Sequence, residues 1–303
     1  MDRAKAAKLI SHAVEATRTR WRQYDKHWQD IDRVFILHGY EQQGFEIFKF
    51  LPLLEKRGCG SIDALGSILR EEDGSKYKRA YAGRLANPFY GALERGEREE
   101  CGRALYDAII EFQRLGAGSA GRCFWKLIWQ LLVSCRYLRS RHSASFRHYI
   151  LDTFSKYVGQ ESIADDRFLS TPAEDWRSFL DKTKPWEKLL GIGENTFDFI
   201  FGDIVKARFA PDAYKLDDAN RRFLRVTGII DLIGALNRKD VIRFMRGLET
   251  SYSLREMNKG IYTYCSVTEG DTFGFCRSSA DCTRCGANAI CDKRIGEKRD
   301  GVG

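Results

Sequence analysis

"FCRSSADCTRCGANAIC", residues 275–291, places four cysteines, Cys276, Cys282, Cys285 and Cys291, at the spacing C-x5-C-x2-C-x5-C. Thiols gathered this closely suit either a metal centre or a disulfide staple. Two features weigh against the staple. The chain holds nine cysteines, an odd number, and its opening stretch "MDRAKAAKLISHAVEATRTRW" is charged throughout with no apolar signal core. The expectation is a chain that is not exported and stays in a reducing, cytoplasmic compartment, where clustered cysteines hold metal more often than they pair.

Working outward, the 303 residues suffice for one large or two medium domains. The composition is that of an ordinary globular protein, and no apolar run reaches membrane-spanning length, "VTGIIDLIGAL" being interrupted by Asp231. Phe124, Leu127, Ile128, Leu131, Leu132 and Cys135 recur at helical spacing, with Trp125 and Trp129 widening the stripe. Similar patterns run through "FEIFKFLPLLEKRG", "CGRALYDAIIEFQRLG", "TPAEDWRSFLDKT", "PWEKLL", "NTFDFIFGDIVKARF" and "ANRRFLRVTGIIDLIGALN". Alternating strand patterns are scarce, so the chain reads as all-α. In the N-terminal part, Trp21, Trp28, Phe35 and Phe48 are expected in a helical core, and "GAGSAG" is the best candidate linker.

The net charge is +8, and residues 121–150 hold six basic side chains and no acidic one: Arg122, Lys126, Arg136, Arg139, Arg141 and Arg147. Such a run can neutralise phosphates, or it can be a solvated face balanced in space by acids from elsewhere. In "LLGIGENT", residues 189–196, two glycines flank one apolar residue between two helical patterns. That lets the chain turn sharply, approach another molecule closely and point the N–H groups of the next helix outward. A dinucleotide-binding loop is disfavoured, since no strand precedes the glycines and the third glycine is missing. Further on, "LDDANRRFLRVTGI" offers Asp217 as a helix N-cap.

Taken in order, "LLGIG", "LDDANRRFLRV" and the four-cysteine stretch resemble the helix-hairpin-helix DNA glycosylase superfamily, in its iron–sulfur branch of endonuclease III and MutY type. The resemblance covers roughly residues 121–295. It implies a two-subdomain all-α fold: a helical barrel subdomain at 121–235 with the helix-hairpin-helix at about 185–206, then helices and the cluster loop at 236–303. Residues 1–120 form an N-terminal helical region of unassigned role, part of which is expected to supply a helix packed on the cysteine-bearing subdomain.

The resemblance also assigns roles. Asp217 falls on the family's catalytic aspartate, with Asp218 next in line should the register shift by one. Loss of a base builds positive charge on the deoxyribose, which a carboxylate stabilises while orienting or deprotonating water. Asn195 falls where bifunctional relatives carry a lysine, and an amide cannot form a Schiff base. The implied activity is therefore monofunctional excision of a damaged, mismatched or modified base from double-stranded DNA, with Lys215 as a less favoured migrated amine. Gly191, Ile192, Gly193, Arg136, Arg139, Arg141 and Arg284 are the implied DNA contacts. Cys276, Cys282, Cys285 and Cys291 are the implied ligands of a [4Fe-4S] cluster, although the first spacing is one residue short of the family's. Cys265 is a reserve ligand. Zinc is the alternative metal, disfavoured because zinc sites more often show two C-x2-C pairs and this stretch has one.

Overall fold

The computed structural model describes residues 1–70, 73, 88–98, 100–116, 123–266 and 273–296. Among them every regular element is helical. In chain order the α-helices are α1 (Arg3–Trp21), α2 (Ile31–Tyr40), α3 (Ile47–Glu55), α4 (Ile62–Ile68), α5 (Pro88–Glu94), α6 (Glu100–Arg114), α7 (Phe124–Arg141) and α8 (Phe146–Tyr157). They continue as α9 (Asp165–Leu169), α10 (Ala173–Thr183), α11 (Glu194–Gly202), α12 (Asp218–Val226), α13 (Ile230–Ile233), α14 (Arg238–Arg246), α15 (Leu254–Cys265) and α16 (Ser279–Arg284).

The chain divides into two compact units, residues 1–25, 201–205 and 209–303 in one, residues 26–200 and 206–208 in the other. This differs from the sequence-based division at 120 and 235. The first of those boundaries, like most of the "GAGSAG" stretch, lies outside the described residues. The physical reason for the difference is α1. Its buried stripe of Ala6, Leu9, Ile10, Ala13, Val14 and Thr17 needs a partner helix, and α15 near the other end of the chain supplies it. A Cβ on Gly260 of α15 would stand 2.7 Å from the Val14 Cα, so only glycine permits this closeness. Thr17 lies at the same crossing, its hydroxyl donating to the Ala13 carbonyl at 2.7 Å.

One helical turn away a buried charge network ties down the unit. The Asp203 side chain is 0 % exposed, with Lys259 Nζ at 2.8 Å and an Arg255 nitrogen at 3.3 Å. Arg255 also meets Asp25 at 2.6 Å. The cations lie over aromatic faces as well, Lys259 over Tyr24 at 4.9 Å and Arg255 over Trp21 at 5.8 Å. Burial lowers the Lys259 amine, while the Asp203 charge opposes the shift.

The second unit is built round α7, whose buried residues spread over most of its circumference. Phe124 at its start stacks on Phe112 of α6 at 5.4 Å and meets Phe45 edge-on at 5.4 Å. Trp28 and Phe35 are buried as expected, and so is Trp21 in the first unit. Phe48 is a correction. Helix α3 buries Ile47, Phe50, Leu51 and Leu54, which turns Phe48 to the opposite side, 46 % exposed beside Lys49. Two helical readings also change. "PWEKLL" is a single 3-10 turn at Pro185–Lys188, and "ANRRFLRVTGIIDLIGALN" breaks after Val226, where Gly228 takes φ +78°.

Two substitutions test this architecture by chemical unfolding. Gly260→Ala should cost about 1–3 kcal/mol by forcing α1 off α15. Asp203→Asn should cost about 3–5 kcal/mol, because it leaves the Lys259 ammonium buried without its counter-charge.

Candidate active site and cysteine loop

The glycine turn is fixed by its carbonyls. Lys184 ends α10 in the left-handed region at φ +42°, Pro185 starts the 3-10 turn, and Gly191 takes φ +86°. Tyr40 and Ser134 donate to the Leu190 carbonyl at 3.1 and 3.3 Å, and Gln42 donates to the Gly191 carbonyl at 3.1 Å. A Cβ at Gly191 would lie 2.5 Å from Gln130 Oε1, so this glycine is required both by its φ and by its neighbour. Ile192 is buried. Gly193 is exposed, with nothing within 4 Å of where its Cβ would be, and α11 begins at the next residue. Asn195, in the first turn of α11, is half-buried.

Asp217 belongs to the other unit and sits in a polar clamp. With φ −90° and ψ 179° it caps α12, its Oδ1 accepting from the Asn220 amide at 2.8 Å and from Asn220 Nδ2 at 3.0 Å. Asn220 is fully buried and is itself held by Tyr214 Oη, which donates to its Oδ1 at 2.9 Å. Asn258 of α15 brackets the preceding segment by exchanging two hydrogen bonds with the Lys215 backbone at 3.2 and 2.7 Å. Burial pushes the Tyr214 hydroxyl up, and the nearby Asp217 charge adds to the shift. The sequence-predicted cap is thus observed, while Tyr214, Asn220 and Asn258 were missed. Asn220 had a signal, standing three residues after the cap; Asn258, forty-one residues on, had none. Asp217 is half-buried, and among the described residues both its side-chain hydrogen bonds fall on Oδ1. Asp218 is exposed.

The cysteine loop is docked at three places in the first unit. At the end of α15 the Tyr264 carbonyl accepts from Gly274 at 3.2 Å and Phe275 at 3.1 Å, and the Tyr264 ring stacks on Phe275 at 4.5 Å. Tyr264 Oη lies 2.9 Å from Cys285 Sγ, and a Cβ on Gly286 would meet His12 of α1 at 2.7 Å. At the end of α12 the Val226 carbonyl accepts from the Arg294 amide at 2.9 Å, and Arg294 pairs with Asp231 and Asp292. Arg294 is therefore engaged within the protein. A capping box of Ser278 and Asp281 starts α16, which presents Cys282.

The thiols feel one another. Burial pushes Cys291 up to about 11, and Cys276, Cys285 and Cys282 contribute in the same direction. Tyr264 is pushed up by burial and then by Cys285, Cys276 and Cys265. Four thiols with a hydroxyl and an amide already directed at two sulfurs are a donor set whose chemistry fits an iron–sulfur cluster or zinc. Among the described residues, however, no three His, Cys, Asp or Glu side chains stand in a metal-holding arrangement. The Phe275 amide on the Tyr264 carbonyl instead sets Cys276 beside Cys265, which lies wholly buried at the end of α15.

Of the predicted basic residues, Arg136, Arg139 and Arg141 share α7 in the second unit, and Arg284 belongs to the first. Arg136 donates to the Arg70 carbonyl, and Arg139 pairs with Asp63 at 2.8 Å. With Ser140 and Ser143 they line an open basin of about 550 Å³ where α4 packs on α7. Arg141 is exposed at the end of α7. Arg284, in the other unit, lies over the Phe275 ring at 4.9 Å and near Asp281. Among the described residues no helix is long and apolar enough to cross a membrane.

No protein-family profile, curated protein or solved structure matches the chain.

The clamp makes a graded prediction for thermal or chemical unfolding. Asn258→Ala should cost about 1–3 kcal/mol, since it strips two partners from the Lys215 backbone. Asp217→Asn should change stability by only a few tenths of a kcal/mol, because asparagine caps a helix about as well as aspartate.

Proposed function

We propose that the chain is a monofunctional DNA glycosylase of the helix-hairpin-helix kind, acting in the cytoplasm on double-stranded DNA that carries a damaged, mismatched or modified base. The observation that carries this reading is Asp217, a half-buried carboxylate fixed through Oδ1, with no hydrogen bond on Oδ2 among the described residues. The order of the glycine turn, this aspartate and the cysteine loop supports it.

The target base leaves the stack, which costs a few kcal/mol and favours bases that are already poorly paired. As the bond between C1′ and the base nitrogen breaks, its electron pair leaves with the base and positive charge grows on the sugar. Asp217 Oδ2 stabilises that charge and takes a proton from the water that adds to C1′. The turn at Gly191, Ile192 and Gly193, together with Arg136, Arg139, Arg141 and Arg284, meets phosphates. Asn195 supplies no amine, so the product keeps an intact abasic sugar. Cys276, Cys282, Cys285 and Cys291 would hold a [4Fe-4S] cluster, which supplies a structural clamp away from the reacting carbon.

The deciding experiment is mass spectrometry of bases released from duplexes bearing diverse lesions and natural modifications. Wild type should release at least one base. Asp217→Asn should lower that rate by about 10²-fold or more while binding to an abasic analogue persists. Failure of wild type to release any base, with binding retained at low salt, would favour a non-catalytic DNA-binding relative. Borohydride should trap no protein–DNA crosslink; a crosslink would overturn the monofunctional assignment.

The metal assignment has its own measurement. Anaerobically purified protein should be brown and contain about four iron and four sulfide per chain. A colourless preparation with stoichiometric zinc would replace the cluster with the alternative metal.

A further inference from the structure

We propose that Cys265 and Cys276 form a reversible disulfide, a latch that withdraws Cys276 from the other three cysteines of the loop. The Phe275 amide on the Tyr264 carbonyl at 3.1 Å sets Cys276 beside Cys265, with Cys265 fully buried and Cys276 partly accessible. This placement is built by the backbone. The Tyr264 carbonyl takes the amides of Gly274 and Phe275, Phe275 stacks on Tyr264, and Cys276 adopts φ +67° at the next residue. A cysteine rarely takes this left-handed conformation, and here it comes with the chain turning Cys276 onto the end of α15. The other three cysteines of the stretch are held elsewhere, Cys282 on α16, Cys285 against Tyr264 and Cys291 against Val226.

The oxidant is a low-molecular-weight disulfide of the glutathione type. The Cys276 thiolate attacks one sulfur, the oxidant's S–S bond breaks, and one thiol leaves carrying the Cys276 proton. The Cys265 sulfur then attacks Cys276 in the mixed disulfide, and the second thiol leaves with the Cys265 proton. Two protein thiols are oxidised and one disulfide is reduced to two thiols. The burial of Cys265 sets the order, since only Cys276 is open to the oxidant. The effect on metal loading rests on the proposed role of Cys276 as a ligand; the disulfide itself does not.

The test uses the full-length, metal-free chain, reduced and then exposed to glutathione disulfide, alkylated, digested and mapped by mass spectrometry. A Cys265–Cys276 linked peptide should be the first crosslink to appear. Cys265→Ser should abolish it and leave Cys276 as a glutathione adduct. Linkage of Cys276 to Cys282, Cys285 or Cys291, or continued alkylation of both Cys265 and Cys276, would overturn the proposal. If Cys265→Ser loses its helical circular dichroism, Cys276→Ser at the more exposed position replaces it. That variant should leave Cys265 unlinked, and a Cys265 crosslink elsewhere would sink the pairing.

Iron and sulfide uptake forms the second arm. The reduced chain should load, the oxidised chain should not until dithiothreitol is added, and reduced Cys265→Ala should load. Undiminished loading of the linked chain overturns the latch, and so does failure of reduced Cys265→Ala to load, which would make Cys265 a ligand. If reduced wild type takes up no iron, the cluster reading fails and the peptide map alone judges the disulfide.

Discussion

The first unit depends on how closely α1 approaches α15 at Gly260. That contact joins the beginning of the chain to a helix more than two hundred residues later, and α15 then distributes the constraint. Asn258 braces the segment leading to Asp217, Lys259 meets the buried Asp203, Gly260 admits α1, Tyr264 docks the cysteine loop and Cys265 meets Cys276. Five roles fall within eight residues because a helix shows its faces in quick succession: Asn258, Lys259 and Gly260 stand about 100° apart, Tyr264 returns to the side of Gly260, and Cys265 returns to the face of Asn258. A change in the crossing is therefore felt at the carboxylate and at the cysteine loop together.

The clamp round Asp217 shows how a capping residue can keep reactive capacity. A carboxylate has two oxygens and about four lone-pair sites, and an N-cap needs only one oxygen. Here Asn220 supplies both donors to that oxygen, through its amide and its side chain, so the ring of contacts orients the group without using it up. The buried asparagine is itself satisfied by Tyr214 and the Asn258 carbonyl, which keeps the arrangement from becoming a site of uncompensated desolvation. Stiffness of this kind is what a reacting carboxylate needs, because reorganisation during the reaction would raise the barrier.

How much of this was legible in the sequence depends on the range of the interactions. The helical class, the N-cap at Asp217 and the turn at Gly191 rest on neighbours within a few residues, and all three were readable. The α1–α15 pairing was legible only in outline, as an N-terminal helix expected on the cysteine-bearing subdomain, because amphipathic stripes say that a partner exists without saying which. Phe48 was misread because a count of aromatics ignores the phase set by Ile47, Phe50, Leu51 and Leu54. Asn258 and Lys259 carried no sequence signal of their own; only their partners, Lys215 and Asp203, explain their burial. The Cys265–Cys276 contact was hidden for a related reason. Spacing counts cysteines along the chain, whereas the chain reversal before Phe275 brings a fifth thiol in from the side.

At the glycine turn, hydrogen bonding decides which kind of group can approach. Buried backbone groups must find partners, and here the carbonyls of Leu190 and Gly191 are taken by Tyr40, Ser134 and Gln42. The accepting side of the turn is therefore occupied by its own unit. Immediately beyond the turn α11 begins, with Glu194 in its first turn. Gly193 leaves the adjoining space open where any side chain would begin to fill it. With its acceptors taken and the space at Gly193 open, the turn leaves only that open side for a ligand, and on the proposed reading the ligand is a DNA phosphate.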